Sequence, residues 1–108
     1  MAAENHETTN QAMQLMVNAG DAKEEAHQAL RAARDGDFDL AKEKLTAARE
    51  KLNVAHNVQT AMLTDEAQGK PVQLTLLVVH AQDHLMTAIT YVDLVEELVA
   101  LYDRLDQR

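Results

Sequence analysis

Residues 74–105 read LTLLVVHAQDHLMTAITYVDLVEELVALYDRL, and this run decides the fold. Its apolar residues are Leu74, Leu76, Leu77, Val78, Val79, Leu85, Met86, Ile89, Val92, Leu94, Val95, Leu98, Val99 and Leu101. They recur at helical spacing, yet they occupy most of the helix circumference. A helix packed in a small bundle needs only an apolar stripe. A helix that is apolar nearly all round must be covered on all sides, and two short neighbours cannot do that. The pattern predicts self-association with this helix at the interface. The alternative, a greasy surface on a monomer, would aggregate.

Set inside the run is His80-Ala81-Gln82-Asp83-His84. A helical residue advances about 100°, so His80, Asp83 and His84 fall within roughly a third of the circumference. Burying such groups is unfavourable unless they are paired or used. Several uses compete. A zinc peptidase motif needs a glutamate after its first histidine, and Ala81 stands there. His80, Asp83 and His84 could ligate a transition metal if a fourth group arrived from elsewhere. Alternatively, in a symmetric oligomer whose axis is lined by this helix, Asp83 would meet its own copies. A hard divalent cation held by carboxylate oxygens and waters would relieve their repulsion. Finally, neutral imidazole is a good nucleophile toward phosphorus, given a fixed tautomer and a nearby donor. His84, one turn from His80, can be that donor. No Gly-rich phosphate loop is present, so the phosphate would come from another protein. The bland reading is a set of satisfied core histidines. His56, on another helix beside Gln59 and Thr60, reads alone as structural, and His6 and His27 as surface or disordered.

The rest of the chain reads as two more helices. With 108 residues, three glycines and one proline, the protein is a single all-α domain. The first helix is expected over about residues 9–34, capped by Thr8, Thr9 or Asn10. Gly20 inside it suggests close packing against another helix, or a kink. Gly36 suits the left-handed residue that ends a helix, and Asp37 can cap the next. That second helix is expected over about residues 38–65, and Gly69 and Pro71 mark the following break. The third is expected over about residues 72–106. Residues 1–8 are expected to be disordered.

Net charge is −8 and there is no cysteine. Acidity argues against nucleic acid and against docking on an anionic membrane. Without cysteine there is neither a disulfide frame nor a thiolate metal site. The polar start lacks a secretory signal, and acidic residues interrupt the best apolar stretch. These features predict a cytoplasmic protein with no direct membrane insertion.

The string Val79-His80-Ala81-Gln82-Asp83-His84-Leu85-Met86-Thr87 resembles the phosphorylation signature of one family. This is the enzyme IIA component of the lactose/cellobiose (N,N′-diacetylchitobiose) branch of the bacterial phosphotransferase system. Asn18-Ala19-Gly20-Asp21-Ala22-Lys23, Gly36-Asp37-Phe38 and Ala55-His56-Asn57-Val58-Gln59-Thr60 resemble further segments of it, in order. The resemblance implies an antiparallel three-helix bundle that assembles as a homotrimer with a nine-helix core. It implies that His80 accepts a phosphoryl group from phospho-HPr and passes it to a cysteine of the IIB component, for uptake of a β-linked disaccharide. It implies that three copies of Asp83 hold one divalent cation, magnesium, on the threefold axis. Gln82 lies about 200° from His80 around the helix, so it would reach a neighbouring helix or subunit. His56 and Gln59 would line the site from the second helix of the same or a neighbouring subunit. The competing function is a helical trimer whose histidines merely hold a metal, acting as a scaffold.

Overall fold

The computed structural model describes residues 6–108. Three helices follow one another: α1 (His6–Arg34), α2 (Phe38–Ala67) and α3 (Leu76–Asp106). Two connections set their directions. At the α1–α2 corner, Gly36 takes φ +85°. Its N–H donates to the Ala33 carbonyl, and the Asp37 N–H donates to that of Ala32. This pair of bonds closes a helix on a left-handed glycine. Gly69, at φ +84°, repeats the arrangement after α2: its N–H donates to the Glu66 carbonyl, and the Lys70 N–H to that of Asp65. Asp37 then caps α2 by accepting from the Leu40 N–H, and Thr75 caps α3 by accepting from the Val78 N–H.

The boundaries differ from the sequence expectation at three ends. Helix α1 starts at His6, so Thr8, Thr9 and Asn10 lie within it rather than capping it. Thr8 is buried there. Of the expected disordered residues 1–8, residues 6–8 are therefore helical, and residues 1–5 lie outside the described residues. Helix α2 runs two residues past Asp65, to Ala67. Helix α3 begins at Leu76 rather than Val72, because Thr75 is extended and supplies the cap.

Cross-helix contacts define the topology. Lys23 meets Thr87 and His27 meets Tyr91, so α1 and α3 run parallel with a constant offset of 64 residues. Gln59 meets Gln82 and Arg49 meets Asp93, so α2 and α3 are antiparallel. Lys44–Glu25 and Lys51–Asp21 pair α2 and α1 in the same antiparallel sense. The bundle is up-down-up.

The buried seams follow heptad spacing. On α3 they are Val78, Ala81, Leu85, Ala88, Val92, Val95 and Val99. On α1 they are mostly alanines: Ala12, Ala19, Ala22, Ala26, Ala29, Ala32 and Ala33, with Leu15. Steps of three and four wind helices into a shallow left-handed crossing. Alanine lets backbones approach closely, but each alanine removes little apolar area from water. Among the described residues only Leu15, Leu85, Val92 and Val95 are large and fully buried.

Helix α1 is the central element, packed along both α2 and α3, which touch each other far less. One side of α3 is consequently unpartnered. Leu76, Val79, Met86, Leu94, Leu98, Leu101 and Leu105 are 39–86 % exposed. With Asp83 and Thr90 they form a second seam, again in steps of three and four. The excess apolar surface read from the sequence is real in the fold.

Candidate functional site

Helix α3 carries its chemistry in three separate stripes. His80, His84, Thr87 and Tyr91 follow one another at steps of four, three and four, along the edge next to α1. Gln82, Met86, Asp93 and Glu96 face α2. Asp83 lies in the exposed apolar seam between them.

The histidines meet. His84 Nε2 lies 3.2 Å from His80 Nε2, and the rings stand edge to face at 88° with centroids 4.6 Å apart. His80 is exposed and His84 half-buried. The other ring nitrogen of His84, Nδ1, is buried and has no hydrogen-bond partner. The 3.2 Å contact fits either direction of donation. A neutral imidazole has one N–H and one acceptor nitrogen. A His84 proton on Nδ1 would orphan a buried donor, at about 1–3 kcal/mol, and an orphaned acceptor is tolerated more readily. Burial therefore favours donation from His84 Nε2 to the lone pair of His80 Nε2, with the His80 proton on Nδ1.

Asp83 does not join them. Its carboxylate makes no hydrogen bond or ion pair with a described residue, and it is exposed. Among the described residues no group of three His, Asp or Glu side chains in one chain is placed to hold a metal. The single-subunit site of His80, Asp83 and His84 weighed from the sequence is therefore not formed. A shared helical face is too coarse a criterion: His80 and Asp83 are about 60° apart, enough to put them in different stripes.

Gln82 points to α2, as its angle requires. Gln59 Nε2 donates to Gln82 Oε1 at 2.8 Å and also approaches the Met86 sulfur at 3.7 Å. Gln59 therefore lines α3 on the side away from its own His80. His56, also on α2, is exposed and touches none of these groups. Within one chain neither reaches the histidine pair.

Two features escaped the sequence reading. Lys23 Nζ donates to Thr87 Oγ1 at 2.9 Å, and that hydroxyl lies 2.9 and 3.2 Å from the carbonyl oxygens of Asp83 and His84. His27 Nδ1 lies 3.2 Å from the Tyr91 hydroxyl, so His27 is ordered in the α1–α3 groove. The i+7 and i+11 positions beyond His80 were the available signal. Gly20 is a correction. Helix α1 runs through it unbroken, and a Cβ there would meet nothing within 4 Å. Within the single chain it packs closely against no other helix. It leaves an open floor in a groove lined by Gly20, Lys23, Glu24, His27, Thr87 and Tyr91.

An exposed histidine in contact with a second one, on a three-helix scaffold, is an arrangement able to accept and pass on a phosphoryl group. Residues 10–103 match the family described as the lactose/cellobiose-specific IIA subunit of the phosphotransferase system, and the chain belongs to that family. The lichenan-specific phosphotransferase enzyme IIA component of Bacillus subtilis is 38 % identical over 104 residues, covering 96 % of this chain and 94 % of that protein. The cellobiose-specific enzyme IIA of Bacillus anthracis superposes with a TM-score of 0.92 at 36 % identity, over 100 % of this chain and 96 % of that one. The chitobiose IIA of Escherichia coli, solved in complex with HPr, superposes with a TM-score of 0.80 at 37 % identity, over 97 % and 99 % of the two chains. The chain is thus a phosphotransferase component of a sugar-transport system, and the expected family and three-helix bundle stand. No helix among the described residues is long and apolar enough to cross a membrane.

Proposed function

We propose that this chain, acting in the cytoplasm, accepts a phosphoryl group from phospho-HPr on Nε2 of His80 and donates it to a cysteine of a IIB component, serving uptake of a β-linked disaccharide. The observation that carries this reading is the 3.2 Å contact between the two Nε2 atoms beside the unpartnered His84 Nδ1. It favours a reactive lone pair on Nε2 of the exposed His80. In the forward step that lone pair forms the new N–P bond as the bond to the donor nitrogen breaks, and the electron pair of the broken bond stays with the donor. No proton has to leave Nε2. His84 then turns its N–H from the lone pair to a phosphoryl oxygen. Such transfer is mostly positioning and charge stabilisation.

The second seam on α3 supports a homotrimer built on that helix, with a nine-helix core. Asp83 lies in the seam, so three copies would converge at the axis. Carboxylate oxygens and waters suit a hard divalent cation there, magnesium being the natural occupant. In such an assembly the exposed His56 can line a neighbour's site.

Incubation with phosphoenolpyruvate, enzyme I and HPr, followed by mass spectrometry and peptide mapping, tests the assignment. The expected result is one acid-labile phosphoryl group on the peptide containing His80, absent from His80→Ala, which keeps the oligomeric state of the parent. Uptake of phosphate by His80→Ala would refute the assignment.

A further inference from the structure

A phosphoryl group on His80 adds up to two negative charges to a chain already at −8, with Asp83 close by on the same helix. Helix α3 offers no cation there; its one basic residue, Arg104, stands in its last turn. Residues 58–64 of α2, level with the histidines through the Gln59–Gln82 contact, carry no charge. On α1 the basic residues are Lys23, Arg31 and Arg34. Lys23 alone reaches the histidine stripe, through Thr87.

The Lys23–Thr87 contact is a loose one. A hydroxyl has a single hydrogen. Thr87 spends it on the carbonyl of Asp83 or His84 and accepts from the ammonium. Lys23 is thus held by one neutral acceptor. Gly20 stands one turn toward the histidines on α1: the 64-residue offset places it level with His84, and it puts no side chain of its own there. Helical side chains lean toward the helix N-terminus, here the direction of His80, and the lysine stem rotates freely.

We propose that Lys23 is the counter-charge of the phosphorylated state. Thr87 holds the ammonium while His80 is unloaded, and the ammonium moves along α3 to a phosphoryl oxygen once the N–P bond has formed. This rests on the reading of His80 as the carrier. The exchange trades a neutral acceptor for an anionic one, and charge-assisted hydrogen bonds are roughly twice as strong as neutral ones. Among the described residues, Glu24 and His27 on α1, and Asp83, His84 and Tyr91 on α3, are the other titratable groups around the same groove, and Lys23 is the one permanent cation among them.

The test uses the full chain and its Lys23→Gln and Lys23→Arg variants, equilibrated with phospho-HPr. Two quantities are read: the partition of phosphoryl groups between HPr and this chain, and the second ionisation of the phosphoryl group by phosphorus NMR. Lys23→Gln is expected to shift the partition about tenfold toward HPr and to raise the pH of that ionisation. Lys23→Arg is expected to retain both parental values. A Lys23→Gln variant that partitions and titrates like the parent overturns the proposal while leaving the carrier reading intact. A parent chain that takes up no phosphate on His80 overturns both.

Discussion

At the scale of single residues, the proposed site turns on the position of one proton. The His84 Nδ1 is buried without a partner, which favours the tautomer that donates from Nε2 to His80. The neighbouring Gly20 is the opposite case, a residue whose missing side chain leaves space. Glycine inside a helix is less stable than alanine by roughly 0.5–1 kcal/mol, and a Cβ at Gly20 meets nothing. Gly20→Ala is therefore expected to raise the unfolding free energy by about that amount, read from urea denaturation followed by circular dichroism. A destabilised variant would mean that the position is packed in the assembled protein.

At the scale of elements, the helix ends matter more than the surface ion pairs. Asp37 satisfies an otherwise unpaired N–H at the start of α2. Asp37→Ala should cost about 1 kcal/mol. Arg49 looks more impressive, bonded to both Asp93 and Glu96 across the α2–α3 seam. The hydrogen bond to Glu96, and then that to Asp93, raise its pKa above the ordinary arginine value. All three side chains are 40–58 % exposed, and solvent screens such pairs to between 0 and about 1 kcal/mol. Arg49→Ala should accordingly destabilise no more than Asp37→Ala in the same denaturation series.

For the whole molecule, the alanine-rich interior and the bare seam of α3 are two sides of one fact. The single chain buries few large side chains and leaves seven large apolar ones of α3 exposed. Copies of the chain packed through that seam would supply the missing burial. Two substitutions probe it in opposite directions by analytical ultracentrifugation. Leu94→Glu places a charge in the seam and should yield monomers. Asp83→Leu would remove the like charges that the proposed trimer brings to its axis, and any ion they hold. Exchanging buried charges for apolar groups of similar size is often neutral or stabilising, so that trimer should be at least as stable. A monomeric Asp83→Leu variant would contradict this.

The amino-acid sequence alone determined the three helices, both glycine corners and the histidine proposed to bear the chemistry. All of these rest on local rules: spacing along one helix, caps, and the left-handed conformations of Gly36 and Gly69. The family signature around His80 was legible for the same reason, being a contiguous string. Only the tertiary structure decided which neighbours each side chain meets. It parted Asp83 from the histidine pair, turned Gln82 and Gln59 toward each other, emptied the space at Gly20 and brought Lys23 to Thr87. Those pairings depend on the register between α1 and α3, a distance of 64 residues along the chain. Packing fixes such a register through the summed fit of two heptad seams, and a helix-by-helix reading does not contain it.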